Sequence, residues 1–115
     1  MQPEDAVRLQ HMLEAAEVAA SFMRGRTRED LGSDRMLLFA VVRALEVVGE
    51  AASKVSPAAR GLLPGVPWRA MVAMRNRLIH GYFDIDAEVV WTTTQVELPP
   101  LIDQLFRTLA GRESD

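Results

Sequence analysis

"DRMLLFAVVRALEVVGEAASK", residues 34–54, decides the fold class. Advanced at about 100° per residue, Leu37, Leu38, Val41, Val42, Leu45, Val48, Gly49 and Ala52 fall on one broad arc, while Arg43, Glu46, Glu50, Ser53 and Lys54 gather opposite. This is the period of a helix that buries one face deeply. Ser33 or Asp34 offers the side-chain oxygen that caps it. Gly49 sits inside the apolar arc, where glycine costs roughly 1 kcal/mol against alanine, so close approach of another helix is the expected compensation. Glu46 and Glu50 repel mildly at i,i+4, and a glutamate of this face is placed to pair with an arginine across the bundle.

Outward from that helix, the N-terminal segment from Pro3 to Met23 carries Leu9, Met12, Leu13, Ala16, Ala20 and Met23 on one stripe, with proline suited to its first turn. "RGRTREDLGSD", residues 24–34, reads as a solvated, charged connection carrying Arg24, Arg26 and Arg28. On the C-terminal side, "SPAARGLLPGVPW" opens with a serine cap and a proline, runs about a turn and a half and breaks at Pro64-Gly65. Pro67 starts a helix through Trp68 to His80, which Gly81 is placed to end in the left-handed conformation. Asp86 caps a last helix, Ala87 to Ala110, which Pro99-Pro100 must kink or split. The expectation is an all-α, antiparallel bundle of about four to five helices with a kinked C-terminal helix, residues 1–115 forming one domain.

The composition, with 49% hydrophobic and 25% charged residues, is that of a globular domain and suggests neither disorder nor a membrane span. With no cysteine there is no disulfide framework and no thiolate zinc site, and the two histidines lie far apart. Neither metal nor cofactor is expected. "MQPEDAVRLQHM" lacks the basic-then-apolar layout of a secretion signal, so the expected location is the cytoplasm. A net charge of −3 does not advertise a nucleic-acid binder. Any nucleic acid must be held locally.

One stretch concentrates chemistry. "MRNRLIHGYFD", Met74 to Asp84, packs two arginines, an asparagine, a histidine and the only tyrosine around a glycine. With Trp68 at 0°, Met71, Val72, Met74, Leu78 and Ile79 fall on the core-facing arc of their helix, and Arg75 falls in its middle. A guanidinium cannot shed its charge, so Arg75 must meet a carboxylate such as Glu50, reach an edge, or line a groove where an anion is expected. Arg77, on the opposite side, is a lesser candidate for substrate contact, and a solvated surface role is enough for it. Asn76 and His80, four apart, share a shoulder where the amide can orient the imidazole or contact the same ligand. His80 at a helix C-terminus is equally suited to bonding the last carbonyls.

Arg75 and His80 are about 140° apart on an ideal helix. They converge if the helix unwinds at its end or if two copies meet across a symmetric interface. Converged, they suit phosphodiester chemistry: histidine as proton shuttle near neutral pH, arginine holding the charge on phosphorus, no metal required. Tyr82, past the glycine, is placed as a substrate contact or a modification point.

"RNRLIHGY" reads as R-x-x-x-x-H-x-Y, and together with "LEVVGEAA", "PGVPWRAMVAMRN" and "FDIDAEVVW" it resembles the HepT-like branch of the HEPN domains. The likeness spans about Asp34 to Leu105. It implies an all-α bundle that dimerises, the motifs of two chains lining a groove. It implies a metal-independent endoribonuclease toxin acting on RNA, neutralised when a MntA-like nucleotidyltransferase antitoxin adds AMP to the motif tyrosine. On this likeness Arg75 and His80 are the catalytic pair, Asn76 the polar residue beside them and Tyr82 the AMP acceptor.

Two other readings use the same residues. A binding subunit without nuclease activity would use the Arg75 groove to hold a nucleotide or present a substrate to a nucleotidyltransferase, and a purely structural helical dimer would keep Arg75 salt-bridged. An intact His80 favours the nuclease, since a binding groove has no need of a proton shuttle.

Overall fold

The computed structural model describes residues 1–80 and 85–114, apart from the side chains of residues 79, 80, 113 and 114. Helix α1 (Pro3–Met23), α2 (Arg28–Ser33), α3 (Arg35–Ser53), α4 (Pro57–Gly61), α5 (Trp68–His80), α6 (Ala87–Thr92) and α7 (Leu98–Ser114) follow in order. No strand occurs among the described residues. The protein is the expected all-α bundle, its C-terminal helix interrupted.

α3 is the central element, lying between α1 and α5, while α7 returns along α1. Its apolar arc is buried as its period requires: Val41, Leu45, Val48 and Ala52 are fully enclosed. They join Leu9, Met12 and Ala16 of α1 and Leu98, Leu101 and Leu105 of α7 in one core. Asp34 caps α3 by accepting a hydrogen bond from the Leu37 backbone N–H. Ser56 caps α4 through its hydroxyl and also donates that hydroxyl, and its backbone N–H, to the buried carboxylate of Asp5. The start of α1 is thereby tied to the start of α4.

Two connections differ from their expectation. Residues 24–34 are not simply a solvated loop, because α2 forms within them and buries Leu31. Its cause is a reciprocal cap: Thr27 Oγ1 accepts from the Asp30 N–H while the Asp30 carboxylate accepts from the Thr27 N–H. The arginines here are largely committed within the chain, Arg26 to Asp30 and Asp34 and Arg28 to Glu88 on α6. Gly25, at φ 74°, makes the left-handed turn between α1 and α2.

The second difference lies before the double proline. α6 widens into a π-helical turn, Thr93–Glu97, and α7 already begins at Leu98. Pro99 and Pro100 have no N–H to offer the carbonyls one turn earlier, and the Leu98 N–H instead reaches back five residues to the Thr93 carbonyl. Register is absorbed ahead of the prolines, and no sharp kink at them is needed. Trp68 opens α5 and fixes the preceding loop by donating its indole N–H to the Leu63 carbonyl. Gly81 falls outside the described residues.

Among the described residues, no helix is long and apolar enough to cross a membrane.

Candidate active site

α5 carries the motif, and its burial follows the sequence period. Met71 and Leu78 are buried, and Trp68, Val72 and Met74 pack partly against the core. Arg75 lies on this inward side with 23% of its side chain exposed. Such depth is possible because Gly49 faces it: a Cβ at position 49 would stand 2.3 Å from Arg75 Cβ and 3.0 Å from the Met71 carbonyl oxygen. The glycine in the apolar arc of α3 is therefore the seat of the arginine stem.

The guanidinium is only partly satisfied. Its Nη2 stands 3.5 Å from Glu50 Oε2, and Nε is buried without a hydrogen-bond partner among the described residues. Glu50 is half exposed and also lies 3.7 Å from Lys54 Nζ, so one carboxylate serves two cations. The cross-bundle pair anticipated from sequence exists. It is a loose, half-exposed contact, of the kind a competing anion displaces at low cost.

Arg77 is exposed. It stands at the rim of a cavity of about 320 Å³ between α5, the π-helical turn and α7, where Met71, Met74 and Leu101 form apolar wall and Glu97 is the other charged group. Asn76 is exposed on the far shoulder of α5, where it lines a groove with Ser53, Arg60, Trp68 and Arg69. Arg60 and Arg69 went unassigned in the sequence reading, since the loop between α4 and α5 hides from a helical wheel that the two share a groove. Arg75 and Asn76 thus occupy different sides of α5. His80 is its last helical residue, and its side chain, like Tyr82, lies outside the described residues.

The chemistry available is anion recognition by a partly exposed, loosely paired arginine, about one and a half turns before a histidine at the helix end. Comparison with known proteins gives that arrangement a class. The HepT-like ribonuclease family model matches residues 12–107, and the chain belongs to this family. It is 41% identical over 93 residues to a Thermococcus cleftensis protein named "Probable ribonuclease HepT", covering 81% of this chain and 84% of that one. It is 35% identical over 101 residues to a "Putative RNase" of Caldanaerobacter subterraneus subsp. tengcongensis, covering 88% and 90% of the two chains. A "Putative RNase" of Methanocaldococcus jannaschii is 30% identical over 110 residues, covering 93% and 91%. No solved structure matches the chain significantly.

Proposed function

We propose that this protein is an endoribonuclease toxin that cuts RNA without a metal ion, works as a homodimer in the cytoplasm, and is neutralised when a nucleotidyltransferase antitoxin adds AMP to Tyr82. The observation that carries the reading is the Arg75 guanidinium, seated by Gly49 with a buried, unpartnered Nε and a loose carboxylate. A purely structural arginine would be held by a close carboxylate; this one is paired only loosely at Nη2 and stays partly exposed, which leaves its Nη end able to take a phosphate oxygen.

In this mechanism His80 accepts the proton of the ribose 2′-hydroxyl as that oxygen attacks the adjacent phosphorus. The bond from phosphorus to the 5′-oxygen breaks, and the leaving oxygen takes up a proton from water or from the imidazolium that His80 has become. Arg75 holds the negative charge that builds on the phosphoryl oxygens between these events. Asn76 orients the imidazole one helical turn further on, and Arg77 makes at most a peripheral substrate contact. Because Arg75 and His80 are about 140° apart on one helix, two copies facing each other supply one composite groove more readily than a single chain does.

The test is to incubate purified protein with total RNA in EDTA, beside His80→Ala. Cleavage by the wild type alone supports the proposal. RNA that stays intact with wild-type protein, while still being bound, would replace it with the binding-subunit reading.

A further inference from the structure

Of the residues lining the groove on the Asn76 side of α5, only Asn76 enters the chemistry just described, yet the lining is unusual for a chain of net charge −3. Two arginines enter it and, among the described residues, no carboxylate lines it. Arg60 is fixed: its Nε donates to the Val55 carbonyl, its Nη2 to the Ala52 carbonyl, and its guanidinium lies 5.6 Å from the Trp68 ring centroid. That rigid cation stacked on an aromatic ring forms one wall. Arg69 is exposed and, among the described residues, has neither an ion pair nor a hydrogen bond. Local structure gives it no reason to be cationic, since it stands in the first turn of α5, which carries no acidic residue, and there the helix dipole disfavours positive charge.

Register adds direction. Arg69, Ala73, Asn76 and position 80 are spaced i, i+4, i+7 and i+11, which is one line along a helix. The line runs about 16 Å, room for several nucleotides at about 3.4 Å per stacked residue. It leads from the arginine groove to the motif histidine.

We propose that this groove is the track for the single-stranded RNA substrate, with Arg69 binding a backbone phosphate away from the scissile bond and the fixed Arg60 guanidinium offering a flat cationic face to a base. The inference rests on the ribonuclease reading but names a different part of the surface. Arg69 is a positioning residue: it holds the strand and touches no reacting atom.

The experiment has two arms. In the first, a fluorescein-labelled single-stranded RNA is titrated with His80→Ala protein, and with the same protein carrying Arg69→Ala, across a series of KCl concentrations. Loss of one phosphate contact lowers the slope of log affinity against log salt by about 0.7, and affinity should fall about fivefold. Arg69→Lys should restore the slope, and Arg112→Ala, an exposed charge on α7, should leave it unchanged. In the second arm, Arg69→Ala in the otherwise native protein should raise KM about fivefold with kcat within about twofold. An unchanged salt slope, or an equal drop in the Arg112→Ala control, overturns the track. If the native protein binds RNA with the Arg69-dependent slope but cuts nothing, the nuclease reading fails and the track stands.

Discussion

Gly49 is what lets Arg75 sit where it does. The Arg75 stem occupies the space a side chain at position 49 would need, the would-be Cβ standing 2.3 Å from Arg75 Cβ. Gly49→Ala gains about 1 kcal/mol of helix propensity, but forcing α3 and α5 apart costs about 1–3 kcal/mol. A net loss of stability is expected in urea denaturation, with a larger loss of RNA cleavage because the guanidinium is displaced. A variant as active and as stable as the native protein would show that the contact relaxes freely.

If Arg75 takes a substrate phosphate as proposed, Glu50 competes with that phosphate for the guanidinium. It stands 3.5 Å from Arg75 and is half exposed, so the pair contributes at most about 1 kcal/mol. Glu50→Gln removes the competing negative charge at little cost in stability. RNA should then bind more tightly, read as a lower KM. A raised KM would mean that Glu50 orients Arg75 rather than competing for it.

The two motif arginines should separate in activity. Arg75→Ala and His80→Ala are each expected to lower cleavage by about 10²–10⁴-fold. Arg77→Ala, an exposed residue at a cavity rim, should cost less than about tenfold. Rates measured on one RNA at saturating and limiting concentrations decide this, and abolition by Arg77→Ala alone would reverse the assignment.

Asp5 makes acid stability a local question. Its carboxyl is held below the ordinary value of 3.8, first by the hydrogen bond from the Ser56 backbone N–H and then by that from the Ser56 hydroxyl. A group whose pKa falls on folding stabilises fully above its unfolded value and loses that contribution as pH drops through the folded one. The gap in melting temperature between native protein and Asp5→Asn should therefore be constant from about pH 5 to 8 and shrink below about pH 4. A gap that grows with acidity would contradict the sign.

Legibility in the sequence tracked the range of the forces. α1, α3 and α5 were readable because burial on one face imposes a period, and Gly49 was readable as a close approach because it breaks that face without breaking the helix. Arg75 and its pairing with Glu50 followed from the same wheel. α2 was hidden behind its charge: the Thr27 and Asp30 cap was written in "TRED", but one buried residue, Leu31, is too little to make a period. The break in the last helix was expected at Pro99-Pro100, and the π-helical turn ahead of them was not foreseen, because missing N–H groups act on carbonyls one turn earlier. The Arg60 and Arg69 groove escaped because it depends on how the loop after α4 folds back.

Tyr82 should be the switch. It follows the motif histidine by two residues, past a glycine, and AMP joined to its hydroxyl brings a bulky group and a negative phosphodiester charge close in sequence to the site. Brought to the loosely paired Nη end of Arg75, that phosphate would compete directly with RNA. Tyr82→Phe preserves the ring, so nuclease activity should stay within about threefold of native, as expected for a group outside the proton transfers. The same variant should accept no AMP from the cognate nucleotidyltransferase and ATP, and should remain toxic in cells that express it. Intact mass after the incubation, followed by cleavage of the recovered protein's RNA substrate, reads both properties from one sample. An adenylyl mass gained equally by native protein and Tyr82→Phe, or native protein that gains the mass at Tyr82 and still cuts RNA at full rate, would remove Tyr82 from control of the enzyme.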